Sequence, residues 1–171
     1  MRKNISPENA LHRAAALCSR SEQAEADIRK KLTSWGIVPG DAEKIISRLI
    51  EEKYLDEMRY AHAFVRDKFR FGGWGRIKIA YAMRQKHISA DCMADALTEI
   101  DETEYFNSLL HALKSKLLAI AGKEPFQQRA ALFRFAASRG FEPQTIGKAI
   151  SSIMKISNCD DDSDLYQEDN F

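Results

Sequence analysis

The stretch that decides the fold runs from Tyr54 to Ile88 and reads YLDEMRYAHAFVRDKFRFGGWGRIKIAYAMRQKHI. Asp56 can cap a helix, because its carboxylate can accept hydrogen bonds from the free backbone N–H groups of the first turn. The residues that follow at helical spacing form one apolar face; they are Ala61, Phe64, Val65 and Phe69. The pattern predicts a helix over about residues 56–71, a break at two glycines, and a second helix over about residues 75–86.

Basic residues dominate this predicted helical hairpin. Between Arg66 and Lys86, seven Lys or Arg residues accompany a single acid, Asp67, and aromatic residues are interleaved with them. Mixed signs serve solubility better, so this ratio favours a binding surface over a solvated helix face. Such a surface suits a nucleic-acid backbone or an acidic face of a protein. The predicted binding residues are Arg66, Lys68, Arg70, Trp74, Arg76, Lys78, Arg84 and Lys86.

Two residues of the stretch have alternative roles. Trp74 lies between glycines, where a Trp more often packs between neighbouring structural units than stacks on a nucleic-acid base. Arg59 is expected to pair with a neighbouring acid. Both roles of Trp74 stay open at the level of the sequence.

The apolar pattern of the chain recurs at long intervals. Six apolar or small columns and one turn column repeat after 51 residues and again after a further 53, and the turn column contains Gly36, His87 and Gly140. Three-helix repeats of this length predict an all-α, elongated array in which each unit packs mainly on its neighbours. The predicted units are three three-helix repeats at residues 1–55, 56–100 and 101–155, of which the second is central and basic.

Local signals define the helices of the first repeat. A helix is predicted from Pro7 to Cys18, and a third helix is predicted after Pro39. Residues 19–22, with the sequence SRSE, fit a capping box for the helix between them, with Ser21 as an alternative cap.

Residues 156–171 differ from the rest of the chain. They hold six acids and no Lys or Arg, whereas residues 1–155 hold 26 basic and 19 acidic residues. The segment lacks periodicity and enough apolar residues to offset its ordering entropy, so it is predicted to be a disordered acidic tail. We hypothesise that its acids compete with nucleic acid for the basic face, in which case truncation after Lys155 would tighten single-stranded DNA binding.

Composition narrows the class of protein. No apolar run is long enough to cross a membrane and no signal-peptide core is present, so a cytoplasmic protein without membrane partners is expected. The three cysteines are far apart, which favours reduced thiols over disulfides or a metal site. No catalytic constellation or phosphate-binding loop is found. We therefore expect no enzyme activity, no catalytic residue, no metal and no cofactor.

Several motifs resemble the central signature of the RecX family, whose members regulate the bacterial recombinase RecA. The strongest are KYLDEMRYA at residues 53–61, FVR at 64–66, GWGRI at 73–77 and KHI at 86–88; SEQAE at 21–25, KL at 31–32 and RGF at 139–141 also match. The similarity covers roughly residues 10–155. The chain departs from the family pattern at His87, where Gly is usual, at Met58, where an aromatic residue is common, and in its acidic tail.

The resemblance implies a curved, all-α, modular protein that lies in the groove of a RecA–single-stranded-DNA filament. A monomer that binds RecA and single-stranded DNA, and duplex DNA weakly, is expected. It would inhibit filament growth, ATP hydrolysis, strand exchange and repressor cleavage, and so act in DNA repair, homologous recombination and the SOS response. Two alternatives are a free-standing helix-turn-helix DNA-binding protein and a helical adaptor that binds only protein.

Overall fold

The computed structural model describes the backbone of residues 5–161 and the side chains of residues 5–154. That part of the chain contains α-helices and no β-strand, which confirms the predicted all-α class. The helices are α1 (Pro7–Cys18), α2 (Glu25–Ser34), α3 (Pro39–Glu51), α4 (Glu57–Arg70), α5 (Arg76–Gln85), α6 (Ala90–Leu97), α7 (Glu102–Leu118), α8 (Pro125–Ser138) and α9 (Pro143–Asp161).

The chain divides into two compact units. Unit 1 comprises residues 1–71 and 80–99, and unit 2 comprises residues 72–79 and 100–171. Helix α5 therefore belongs to both, with its first four residues in unit 2. The three predicted repeats describe periodicity along the sequence, whereas the two units describe which residues pack together.

One type of turn closes α2, α5 and α8. The turn residues Gly36, His87 and Gly140 all have positive φ angles, of 82°, 60° and 86°. In each turn the N–H of the next residue donates to a carbonyl five residues earlier, at 3.1, 3.2 and 3.3 Å. This is the hydrogen bond that characterises a Schellman helix end. The residues donating it are all buried: Ile37, Ile88 and Phe141.

The shared turn gives the sequence repeat a physical basis. Each repeat needs a residue that tolerates the left-handed conformation, followed by an apolar residue that enters the core. Glycine meets the first requirement most readily, because a side chain costs about 1 kcal/mol in this conformation. His87 adopts the same backbone as the two glycines. Its departure from the family pattern is therefore a substitution that keeps the turn.

Side chains cap the starts of α4 and α7, and the first of these caps confirms the prediction made for Asp56. The Asp56 carboxylate accepts a hydrogen bond from the Arg59 backbone N–H at 3.0 Å. The Asp101 carboxylate accepts one from the Glu104 backbone N–H at 2.9 Å. Each satisfies an N–H that has no partner within its own helix.

The capping box predicted before α2 is wrong. Helix α2 begins at Glu25, and its N-cap residue Ala24 has no side chain that can accept a hydrogen bond. Ser19 instead caps the end of α1. Glu22 accepts a hydrogen bond from Arg59 Nε at 2.6 Å, which confirms the predicted pairing of Arg59 with an acid. The local pattern was misleading because the partner of Glu22 lies 37 residues away.

Unit 1 contains a continuous apolar core under α1, α2 and α3. Ile28, Leu32 and Leu49 are fully buried within it. Cys18 is a buried member of this core, and burial raises the pKa of its thiol. Helix α4 packs against α6 in the same unit.

Unit 2 contains a backbone clasp between the start of α5 and the turn that joins α8 to α9. The Gly75 N–H donates to the Arg139 carbonyl at 2.8 Å, and the Ile77 N–H donates to the Gly140 carbonyl at 3.0 Å. A Cβ atom on Gly75 would collide with the Gly140 carbonyl. The two backbones therefore approach this closely only because both positions are glycine. Hereafter "the clasp" means these two hydrogen bonds.

Helix α9 extends beyond its predicted end. The sequence places the start of the acidic tail at residue 156, whereas the helix continues to Asp161. Adding residues to an existing helix is easier than starting one, which accounts for the added turns. The remainder of the predicted tail, residues 162–171, lies outside the described residues.

Gly140→Ala should destabilise the fold. Its φ angle is +86°, and the new Cβ would lie 2.5 Å from the Lys78 backbone nitrogen. We expect a decrease of about 2–4 kcal/mol in the free energy of unfolding, measured by urea denaturation.

Gly147→Ala is the matched control. Gly147 lies inside α9 with no atom near its Cβ position, so alanine should stabilise the protein by about 0.5–1 kcal/mol. Equal effects of the two substitutions would contradict the close approach at Gly140.

Candidate binding surfaces

The eight predicted binding residues do not belong to a single unit. Trp74, Arg76 and Lys78 belong to unit 2, where the first residues of α5 pack. The others belong to unit 1: Arg66, Lys68, Arg70, Arg84 and Lys86. Each set is therefore described within its own unit.

Arg76 is engaged inside unit 2. One guanidinium nitrogen lies 2.8 Å from Glu102 Oε1 and 3.1 Å from the Ile100 carbonyl oxygen. The guanidinium carbon lies 4.2 Å from the centre of the Tyr105 ring. The side chain is only 22% exposed. These contacts tie α5 to the start of α7, so the charge of Arg76 has a structural role.

Tyr105 connects Arg76 to Glu142 through hydrogen bonds of its hydroxyl. Its hydroxyl accepts a hydrogen bond from the Arg76 backbone N–H at 3.0 Å and donates one to Glu142 Oε2 at 2.6 Å. Burial, followed by the Glu142 hydrogen bond, raises the pKa of Tyr105. The centre of its ring lies 5.0 Å from that of Phe141. The hydroxyl thus links the first turn of α5 to the turn that precedes α9.

Three of the predicted residues in unit 1 are in ion pairs. Lys86 Nζ lies 2.7 Å from the Asp27 carboxylate, with both side chains about one-third exposed or less. Arg66 lies 3.2 Å from Glu99. Lys68 pairs with the adjacent acid at 2.7 Å. The partners of Lys86 and Arg66 are 59 and 33 residues away, so the sequence could not reveal them.

Lys78 and Arg84 have no carboxylate partner among the described residues. Lys78 Nζ lies 4.5 Å above the Trp74 ring in unit 2. Arg84 is exposed, and its Nε lies 3.4 Å from the Ala80 carbonyl oxygen. Because no acid neutralises them, these two cations can bind an external anion at a smaller cost than Arg76 or Lys86.

A second group of cations lies on α7, α8 and α9 and was missed from the sequence. Residues 72–79 and 100–155 hold ten Lys or Arg and five Asp or Glu, whereas residues 5–71 and 80–99 hold fourteen of each. Counting charges by segment would have found this imbalance. Five exposed cations of unit 2 have no carboxylate partner among the described residues: Lys114, Arg129, Arg134 and Lys148 on the helices, and Lys123 in the loop between α7 and α8.

Unit 1 also contains a cleft of about 560 Å³. Its lining mixes apolar and charged groups and includes Met58, Tyr60 and Lys86. Burial, followed by the charge of Asp27, raises the pKa of Tyr60 to about 12.

The described residues contain no group of three His, Cys, Asp or Glu placed to bind a metal. Within the same residues, no helix is both long and apolar enough to cross a bilayer. The candidate binding features of the described residues are therefore the surface cations and the cleft lined by apolar and charged groups.

Comparison with known sequences identifies the family. The profile described as "RecX, second three-helix domain" matches residues 56–97, which include the hairpin signature. A protein of Prosthecochloris aestuarii named "Regulatory protein RecX" is 30% identical over 145 residues, covering 85% of this chain and 93% of the relative. The chain belongs to the RecX family. It is thus a member of a family of regulatory proteins.

Other RecX proteins differ in length or are known in three dimensions. The "Regulatory protein RecX" of Lactobacillus johnsonii is 26% identical over 165 residues, and this RecX-family chain spans 59% of its length. The crystal structure of RecX from Lactobacillus salivarius matches with a TM-score of 0.76 and 17% identity, over 85% of this chain and 95% of that one. A second RecX crystal structure matches with a TM-score of 0.78 and 20% identity, over 84% and 72% of the two chains. These two matches show the shared fold.

Arg76→Gln and Arg84→Gln should separate the structural cations from the others. Removing the Arg76 charge leaves the Ile100 carbonyl and Glu102 without their partner, which should cost about 1–3 kcal/mol in the free energy of unfolding. Arg84→Gln, on the same helix, should change it by no more than about 0.5 kcal/mol. Urea denaturation of both variants measures the difference. Equal losses of unfolding free energy in the two variants would contradict the structural role of the Arg76 charge.

Tyr60→Phe should remove part of the alkaline destabilisation of unit 1. The pKa of Tyr60 is raised from 10.0 to about 12 in the folded protein, so its contribution to stability is complete below pH 10 and disappears as the pH rises through 12. Between pH 9 and pH 11 the free energy of unfolding should fall by about 1 kcal/mol more in the wild type than in the variant. Urea denaturation at the two pH values measures this difference.

Tyr81→Phe is the matched control for Tyr60→Phe, because Tyr81 is 62% exposed. It should follow the wild type at every pH. If Tyr60→Phe also followed the wild type, the Tyr60 hydroxyl would not be buried as described.

Proposed function

We propose that this protein is a non-enzymatic regulator that inhibits RecA by binding along the RecA–single-stranded-DNA filament. The observation that carries the proposal is the 30% identity to a "Regulatory protein RecX" over 85% of the chain. The target is RecA, and the expected consequences are slower filament growth, ATP hydrolysis, strand exchange and repressor cleavage. The protein acts as a monomer in the cytoplasm.

The charge distribution supports binding to a polyanion. The unneutralised cations lie on helices of both units, and a nucleic-acid filament presents phosphates along its whole length. Contacts from two separate units can engage neighbouring parts of one filament, and linked contacts raise the apparent affinity without any new bond. Inhibition by such bridging requires no chemical step in the protein.

The intramolecular contacts rank the eight predicted residues. Lys78 and Arg84 are proposed as the main cations that bind DNA or RecA, with Trp74 beside Lys78. The roles proposed for Arg76 and Lys86 are structural, each within its own unit, because their charges are engaged with Glu102 and Asp27. The remaining cations, Arg66, Lys68 and Arg70, contribute to the field around the surface.

The test is a titration of the DNA-dependent ATPase of RecA from the same organism. The wild type should inhibit it, and the double variant Lys78→Ala/Arg84→Ala should require about ten-fold more protein for the same inhibition, because two charge-assisted interactions are removed. In single-stranded DNA binding, the removal of each phosphate interaction should reduce the log–log salt slope by about 0.7.

The matched control is Lys30→Ala/Lys44→Ala, which removes the same charge from exposed positions of α2 and α3. It should inhibit like the wild type. A wild type that leaves ATP hydrolysis and strand exchange unchanged would refute the proposed function. If Lys78→Ala/Arg84→Ala inhibited as strongly as the wild type, the proposed function would stand, but the binding surface would be assigned to the cations of α7, α8 and α9.

A further inference from the structure

Helix α8 has a second apolar face that no described residue fully covers. Phe126 is 82% exposed and Phe133 is 40% exposed. With Ala130 and Ala137 they occupy positions i, i+4, i+7 and i+11, which form one stripe along a helix. The stripe lies roughly a third of the way around the helix from the buried residue Leu132. Hereafter "the α8 stripe" means Phe126, Ala130, Phe133 and Ala137.

Cations border the α8 stripe on both sides. At 3.6 residues per turn, Arg129 falls on one side of the stripe and Arg134 on the other. Neither has a carboxylate partner among the described residues, and Arg134 is exposed. Arg129 Nη2 lies 3.3 Å from a hydroxyl, Ser151 Oγ. A surface of this kind fits a segment that combines aromatic or aliphatic side chains with carboxylates.

The chain itself supplies such a segment. Residues 160–171 read DDDSDLYQEDNF and contain six acids together with Leu165, Tyr166 and Phe171. They include the end of α9 and the residues after it, and α9 packs against α8 in the same unit. The acids of this segment outnumber the five acids in the rest of unit 2 up to residue 155.

The geometry of α8 and α9 gives the segment the necessary reach. Arg129 and Ser151 lie at similar distances along the chain from the Gly140 turn, and their contact shows that α9 runs back along α8. Ten extended residues span up to about 33 Å, and the α8 stripe is about 17 Å long at 1.5 Å per residue. Residues 162–171 are therefore long enough to turn back and follow the stripe.

We propose that residues 162–171 bind intramolecularly along the α8 stripe, with their apolar side chains against Phe126 and Phe133 and their acids beside Arg129 and Arg134. Binding covers the exposed rings and neutralises two cations of unit 2. A competing polyanion has to displace the segment before it can use these cations. This inference does not depend on the identity of the regulated protein.

The test is paramagnetic relaxation enhancement in the full-length chain. A nitroxide is attached at Ser163→Cys after Cys92→Ser and Cys159→Ser; Cys18 is buried and its raised pKa protects it from labelling. The amide signals of Ala130, Phe133 and Ala137 should lose intensity relative to the reduced label. The signals of Ala10 and Ala14 in unit 1 should keep theirs.

Two variants separate docking from mere proximity. Phe126→Ser/Phe133→Ser removes the apolar surface at exposed positions and should abolish most of the intensity loss on α8. The matched control Val38→Ser/Phe71→Ser removes two other exposed apolar side chains and should leave the intensity loss unchanged. High salt should weaken the effect, because it screens the carboxylate–guanidinium attraction.

Three outcomes would overturn the proposal. In the first, the α8 signals show no intensity loss, or the same loss in Phe126→Ser/Phe133→Ser as in the wild type. In the second, the loss appears on α4 and α6, which would place the segment in unit 1. In the third, the loss appears only in a mixture of isotope-labelled and spin-labelled chains, which would identify a second copy as the occupant.

Discussion

The rest of unit 2 depends on the clasp between the start of α5 and the turn that joins α8 to α9. Two backbone hydrogen bonds, from Gly75 and Ile77 to Arg139 and Gly140, bring segments more than 60 residues apart into contact. The approach requires glycine on both sides, and between Gly75 and Ile77 the Arg76 backbone N–H donates to the Tyr105 hydroxyl. Because backbone bonds fix position more strictly than side-chain contacts, the clasp sets where the first turn of α5 lies within this unit.

The clasp gives two of the family motifs a common role. GWGRI at residues 73–77 and RGF at 139–141 meet each other within unit 2, so their glycines are explained by packing. The cations between them divide accordingly. Those that are bonded inside the chain maintain the fold, and those without a described carboxylate partner, such as Lys78 and Arg84, are the ones proposed to bind an external anion. A motif can thus identify a family while only some of its residues form the binding surface.

The sequence predicted the helical class, the shared turn and the Asp56 cap, because each depends on residues that are close in the chain. Gly36, His87 and Gly140 fall in one column since one backbone conformation recurs. Contacts between residues that are far apart in the chain could not be predicted from the sequence. Neither the pairing of Glu22 with Arg59 nor that of Lys86 with Asp27 leaves a local signal. The cations of α7, α8 and α9 were missed for a different reason: charges were counted over residues 1–155 together, and the balanced charges of unit 1 hide the basic excess of unit 2.

The central claim is that the clasp forms and holds the start of α5 within unit 2. Backbone hydrogen exchange of the Gly75 and Ile77 amides, followed by NMR, tests it most directly. If the clasp forms, both amides exchange as slowly as those of Phe141 and Ile146 in the same unit, because all four are released only when the unit unfolds. Exchange at the rate of a solvated loop amide would contradict the clasp, and with it the structural role assigned to Arg76.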